Sequence, residues 1–133
     1  MVRPQSPHPT PSELELLKLL WEHGPATGRE LHDRLAAAGK RRAYTSVMTL
    51  LNILVDKGAV TRERLGKSHR YAAKSVQQTV RRKVLRDVWD RLFEGSAEEL
   101  VTHLLEATSP DAAELESIRE AIEHYRRKQK GAK

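Results

Sequence analysis

Residues 44–58, YTSVMTLLNILVDKG, carry two stripes on one short helical segment. Val47, Leu50, Leu51, Leu54 and Val55 recur at the spacing of a buried helix face, and Thr45, Met48, Thr49, Asn52 and Asp56 fall opposite. The second face is short and mostly uncharged. Hydroxyls, an amide and a thioether of this kind suit the floor of a DNA major groove, where they meet base edges and thymine methyls. Gly58 stops the helix. A lone helix of this pattern is more often plain core packing, so its neighbours decide the reading.

Upstream, Thr10 with Pro11 and Glu13 reads as a capping box with proline at the first helical position, opening a helix whose Leu14, Leu17, Leu20 and Trp21 lie near one face. His23-Gly24-Pro25 ends it. Thr27 with Glu30 opens a second helix carrying Leu31 and Leu35, closed by residues 36–39. Downstream of Gly58, residues 59–65 and 69–73 read as two short strands around the turn Gly66-Lys67-Ser68, with Val60 and Tyr71 facing inward. Arg62, Arg64, Lys67 and Arg70 decorate this hairpin. Three helices followed by a basic hairpin are the winged variant of helix-turn-helix.

From Ser75 onward the pattern is wholly helical. Residues 76–93 place Val80, Val84, Val88 and Leu92 four apart, with Leu85 and Trp89 on a neighbouring line, after a cap at Ser75 with Gln78. Residues 97–107, capped by Ser96 with Glu99, carry Leu100, Val101, Leu104 and Leu105. Ser109-Pro110 is expected to cap a third segment in which Leu115, Ile118, Ile122 and Tyr125 repeat at 3, 4, 3 spacing. The boxes Ser12 with Glu15 and Ser117 with Glu120 are rejected, because helical periodicity runs through both. About sixty residues with so few large side chains make a marginal core alone. Dimerisation is therefore expected through Val84, Val88, Leu92, Leu100, Leu104, Leu115, Ile118, Ile122 and Tyr125.

Composition narrows the function classes. The chain has 133 residues, 32% of them charged, and only one Phe, two Trp and three Tyr. Residues 1–74 hold 13 Lys/Arg against 7 Asp/Glu, whereas residues 75–133 hold 11 of each, so the whole net charge of +6 lies in the first half. A basic module beside a neutral helical one points to a polyanion as partner of the first. No apolar run approaches the roughly 20 residues of a bilayer span, and no membrane insertion is expected. Met1 to Pro9 has three prolines and no apolar core, so it reads as a loose tail rather than a secretion signal. The lack of cysteine excludes disulfides and thiolate zinc sites and fits the cytoplasm. Six histidines are scattered without ligand spacing, so no metal and no cofactor is expected. Neither a phosphate-binding glycine loop nor a nucleophile elbow occurs, and adjacent Glu98-Glu99 diverge on a helix, which argues against an enzyme.

The stretch Ala43-Tyr44-Thr45-Ser46-Val47-Met48-Thr49-Leu50-Leu51, the Lys57-Gly58 stop and the hairpin ending His69-Arg70-Tyr71 resemble the penicillinase repressors of the BlaI/MecI type. Ser12 to Glu15 and Leu20-Trp21 are similar to that family's opening helix. The resemblance spans roughly residues 10–127 and is strongest over the first 73. It implies a mainly α fold with a small β-hairpin: residues 1–9 a tail, 10–73 a winged helix-turn-helix, and 74–133 a three-helix dimerisation region. It also implies a homodimeric repressor on a palindromic double-stranded DNA operator. In such repressors the third helix enters the major groove, which assigns Thr45, Ser46, Met48 and Thr49 to bases and Arg42, Tyr44 and Asn52 to phosphates or edge positions. Arg64, Lys67 and Arg70 of the wing are assigned to the backbone.

The chain departs from the family where Ala43-Tyr44 replace the usual Ser-Pro pair and where Thr45 and Met48 are neutral, so operator sequence does not transfer. The copper-responsive branch depends on C-terminal cysteines that are absent here. In the antibiotic-responsive branch a membrane-bound sensor protease, or a process it triggers, cuts the repressor; the matching position is His103-Leu104. Two other readings stay open: C-terminal helices that sense a small ligand, for which Trp89, Phe93 and Tyr125 are the aromatic lining, and a winged helix that binds protein.

Overall fold

A computed structural model describes residues 8–131, so most of the expected tail lies outside the described residues. The backbone divides into two compact units with the boundary between Arg86 and Asp87. The first contains α1 (Pro11–His23), β1 (Ala26–Thr27), α2 (Gly28–Ala37), α3 (Tyr44–Asp56), β2 (Val60–Leu65), β3 (Ser68–Ala73) and the first part of α4 (Gln77–Leu92). The second holds the remainder of α4, then α5 (Ala97–Thr108) and α6 (Ala112–Gly131). The chain is thus mainly α with a small antiparallel sheet.

Local signals set the first two helices as expected. Thr10 and Glu13 form a reciprocal capping box at α1, as do Thr27 and Glu30 at α2. Each box satisfies two amides that the first helical turn leaves unpaired. The hairpin forms, with one correction to its turn: Ser68, expected in the turn, opens β3 instead, because it pairs with Leu65, so β2 and β3 run from Val60↔Ala73 to Leu65↔Ser68 around the two residues Gly66 and Lys67. Gly66 has φ +63, at the turn position where a left-handed conformation favours glycine. The sheet has a third member that periodicity did not reveal, because β1 is only two residues long. Ala26 pairs with Tyr71 and Thr27 with Arg70, giving the order β1-β3-β2. This places β3 in the centre and ties the wing to the start of α2.

The core draws on every element from α1 to β3. Leu16, Leu17 and Leu20 meet Leu31 and Leu35, Val47, Leu51 and Leu54, and Ala26, Val60 and Tyr71. At about 1.5–3 kcal/mol for each large apolar side chain fully buried, this cluster is the main source of stability in the unit. On α1 the expected face is rotated: Leu16 is fully buried, while Leu14 and Trp21 only pack against the margin. The cause lies at Glu13, whose carboxylate is buried and accepts a 2.7 Å hydrogen bond from Lys57 Nζ at the end of α3. Trp21 instead turns its indole N–H to the Ser75 carbonyl at 2.7 Å.

That bond moves the start of α4. Val76, not Ser75, supplies the first helical acceptor, taking hydrogen bonds from the amides of Thr79 and Val80. At α6 the cap is Asp111, whose carboxylate accepts from the Glu114 amide at 2.8 Å. Ser109 instead closes α5, with its amide donating to Leu105. Ser96 caps α5 as expected. Among the described residues of the second unit none is buried, and Leu92, Leu104, Leu115, Ile122 and Tyr125 are exposed.

Helices α2 and α3 approach closely at Gly28. A Cβ there would lie 2.6 Å from the Met48 sulfur, so only glycine fits without movement. Gly28→Ala is expected to cost at most about 1 kcal/mol, because the flexible thioether end of Met48 can swing aside; urea denaturation of the variant checks this. Lys57→Ala leaves the Glu13 carboxylate buried without its cation and is expected to cost about 3–5 kcal/mol, whereas Glu13→Leu with Lys57→Met should cost far less. Equal unfolding midpoints for the Lys57→Ala and double variants would contradict that account.

Candidate nucleic-acid interface

The buried stripe of α3 fixes what its other side can do. Val47, Leu51 and Leu54 are fully enclosed, which turns Thr45, Ser46, Thr49 and Asn52 outward as a connected exposed strip. Thr45, Ser46 and Thr49 line one open depression together with Ser12, Arg42 and Leu50. The Thr49 hydroxyl donates to the Thr45 carbonyl at 2.9 Å, so its oxygen stays able to accept and its methyl is held outward. No acidic residue stands in the first turn of α3, and its N-cap Ala43 offers no side-chain bond. The positive end of the helix dipole is therefore left uncompensated beside the depression.

Met48 differs from the other expected reading residues. It is half-buried, packs against the core and abuts Gly28. Sequence periodicity put it on the free face; the close approach of α2 draws it inward. Arg42 is also engaged within the fold, donating to the Ser12 hydroxyl at 2.9 Å and the Glu15 carboxylate at 3.4 Å. Asn52 accepts from Arg62 of β2 at 3.3 Å, a contact that joins the end of the exposed strip to the wing.

The wing carries the remaining cations. Arg64 donates to the Gly66 carbonyl at 3.2 Å, across the turn that presents Lys67. Arg70, on the opposite sheet face from Tyr71, lies near the α2 cap. The Glu30 carboxyl there is held below its ordinary value, first by the backbone and side-chain hydrogen bonds from Thr27, with smaller help from Arg34 and Arg70. Tyr44, at the first turn of α3, has Arg29 over its ring at 5.5 Å from the centroid and His32 edge-on at 5.8 Å.

Arg29 and His69 carry no expected role in the sequence. Both line a cleft of about 250 Å³ between the start of α2, the start of α3 and the wing, shared with Tyr44 and Lys67. Forty positions separate them, so no spacing rule could have joined them. The only available signal was alternation: His69 is two residues from inward Tyr71 and so shares its sheet face. The apolar residues expected for dimerisation lie elsewhere, on α4, α5 and α6. Among them Leu92, Leu104, Leu115, Ile122 and Tyr125 are exposed, and Val84, Val88, Leu100 and Ile118 are half-buried. His103, of the expected cleavage pair, packs on Phe93 at 5.4 Å between ring centres, and its Nδ1 lies 2.9 Å from the Glu99 carbonyl. No described helix is long and apolar enough to cross a membrane.

Comparison with known proteins adds to this geometry. The solution structure of the DNA binding domain of the repressor BlaI is similar over 56% of this chain and 90% of its own, with 23% identity and a TM-score of 0.49. The complex structure of hsRosR-S4 is similar over 90% of this chain and 91% of its own, with 17% identity and a TM-score of 0.49. None of the curated proteins matches. Residues 9–124 match the family described as Penicillinase repressor. A match over so much of the sequence places this chain in the penicillinase repressor family, as a winged-helix DNA-binding transcriptional regulator.

Proposed function

We propose that this protein is a cytoplasmic, homodimeric repressor that binds a palindromic operator in double-stranded DNA through residues 10–73 and dimerises through residues 74–133. The observation that carries the reading is the exposed strip Thr45, Ser46, Thr49 and Asn52 on a helix whose other side is locked into the core. Thr45, Ser46 and Thr49 contact bases, and Met48 reaches them only with its thioether end. Tyr44 and Asn52 hold edge positions, Arg42 braces the helix start near the phosphates, and Arg64, Lys67 and Arg70 follow the backbone. Backbone contacts set affinity and register, while groove contacts discriminate sequence.

Dimerisation is supported by the second unit, which buries none of its described residues and leaves Leu92, Leu104, Leu115, Ile122 and Tyr125 in solvent. Large apolar side chains left exposed in this number suit an association site. Relief of repression by cleavage at His103-Leu104, under control of a membrane-bound sensor protease, belongs to the same proposal by family likeness. The Leu104 side chain is exposed there.

Lys67→Ala is expected to weaken binding to operator and random duplexes alike and to make the dependence of log K on log salt shallower by about one. Thr49→Ala should instead lower the preference for operator over random DNA by about 1–3 kcal/mol at particular base pairs; an equal loss on both duplexes would rule out a reading role. Sedimentation should show a dimer at micromolar concentration that Leu104→Asp with Ile122→Asp converts to monomer. A wild-type monomer at high micromolar concentration would refute the dimer.

A further inference from the structure

We infer that the cleft between α2, α3 and the wing is a clamp for a single phosphodiester of the DNA backbone, gripped by Arg29 from one side and Lys67 from the other. This rests on the DNA-binding reading proposed above and assigns the cleft within it a ligand group and residues.

Three independent elements build the cleft: Arg29 comes from α2, Tyr44 from α3, and Lys67, Ser68 and His69 from the wing. Its volume of about 250 Å³ leaves room for a phosphodiester group. Every ionisable side chain that lines it is basic or phenolic, and no carboxylate is among them. Among the described residues neither Arg29 nor Lys67 has an ion-pair partner, in contrast to Lys57, Arg34, Lys40 and Arg42 of the same unit.

The geometry also explains why an anion of this shape fits. Arg29 is held over the Tyr44 ring at 5.5 Å, which restrains a guanidinium whose planar fork matches two oxygens of one phosphate. Tyr44 is itself braced edge-on by His32. Ser68 and the His69 ring add neutral hydrogen-bonding groups on the wing side. The pairing of Thr27 with Arg70 in the β1–β3 ladder sets the distance between the two walls. A duplex lying along the α3 strip passes a strand between α2 and the wing. The clamp therefore fixes the register of that strand without reading its sequence.

Because a phosphate contact is independent of sequence, the test uses a 24-bp random-sequence duplex and the full chain, with fluorescence anisotropy at 50–200 mM KCl. Arg29→Gln is expected to bind several-fold more weakly with a salt slope shallower by about one. Arg29→Lys, which keeps the charge and loses the fork, should fall between that variant and wild type. Combined with Lys67→Gln, the losses should be less than multiplicative, because the second substitution acts on a phosphate already released. Since Arg29 is exposed, its variants should retain the wild-type melting temperature. Wild-type binding with an unchanged Arg29→Gln slope and affinity would overturn the clamp alone, as would strictly multiplicative losses. A wild-type chain that binds no duplex at 50 mM KCl would overturn the DNA-binding reading and the clamp with it.

Discussion

The contact of the α3 apolar stripe with α1, α2 and the sheet is the constraint from which the rest follows. Val47, Leu51 and Leu54 have no solvent exposure, so the helix cannot rotate without exposing large apolar side chains at about 1.5–3 kcal/mol each. Fixing the rotation fixes which side chains are free. Thr45, Ser46, Thr49 and Asn52 are presented because the opposite positions are held, and this is the surface that the proposed function assigns to DNA. The Glu13–Lys57 pair adds a second restraint at the far end of α3, where a 2.7 Å charge-assisted bond joins it to the first turn of α1. Packing sets the roll of the helix and the ion pair anchors its end.

The approach of α2 to α3 gives this surface its particular character. Gly28 has no Cβ, and the Met48 sulfur occupies the space one would take. Met48 is thereby drawn toward the core while its neighbours stay outside. The same closeness puts Arg29 and His32 against Tyr44. A substitution at Gly28 thus acts on α3 through packing against Met48.

The two units differ in how they meet solvent. Among the described residues, the first encloses eleven apolar side chains drawn from six elements. The second encloses none, although its helices carry apolar stripes. Its helices are stabilised locally, by the Ser96 and Asp111 caps and by pairs such as Arg119 with Glu116 and Arg91 with Asp87. Local terms of this size amount to a few tenths of a kcal/mol each in exposed helices, and the stripes are what the proposed dimer would cover.

Much of this was determined by the sequence alone, wherever the cause was local. The caps at Thr10, Thr27 and Ser96, the extent of α3, the place of the glycine turn at Gly66 and the inward Val60 and Tyr71 all follow from interactions within a few residues or from strand alternation. Where a distant partner intervened, the sequence was silent or misled. Ser75 looked like a cap until the Trp21 indole bound its carbonyl 54 positions away. Glu13 looked like a capping residue only, yet it is also the buried partner of Lys57, and this turns Leu16 rather than Leu14 into the core. The two-residue strand β1 has no periodicity to detect and exists through its pairing with Tyr71 and Arg70. The cleft holding Arg29, Tyr44, Lys67 and His69 arises only when α2, α3 and the wing are folded together, because tertiary packing alone can make neighbours of residues that the chain keeps forty positions apart.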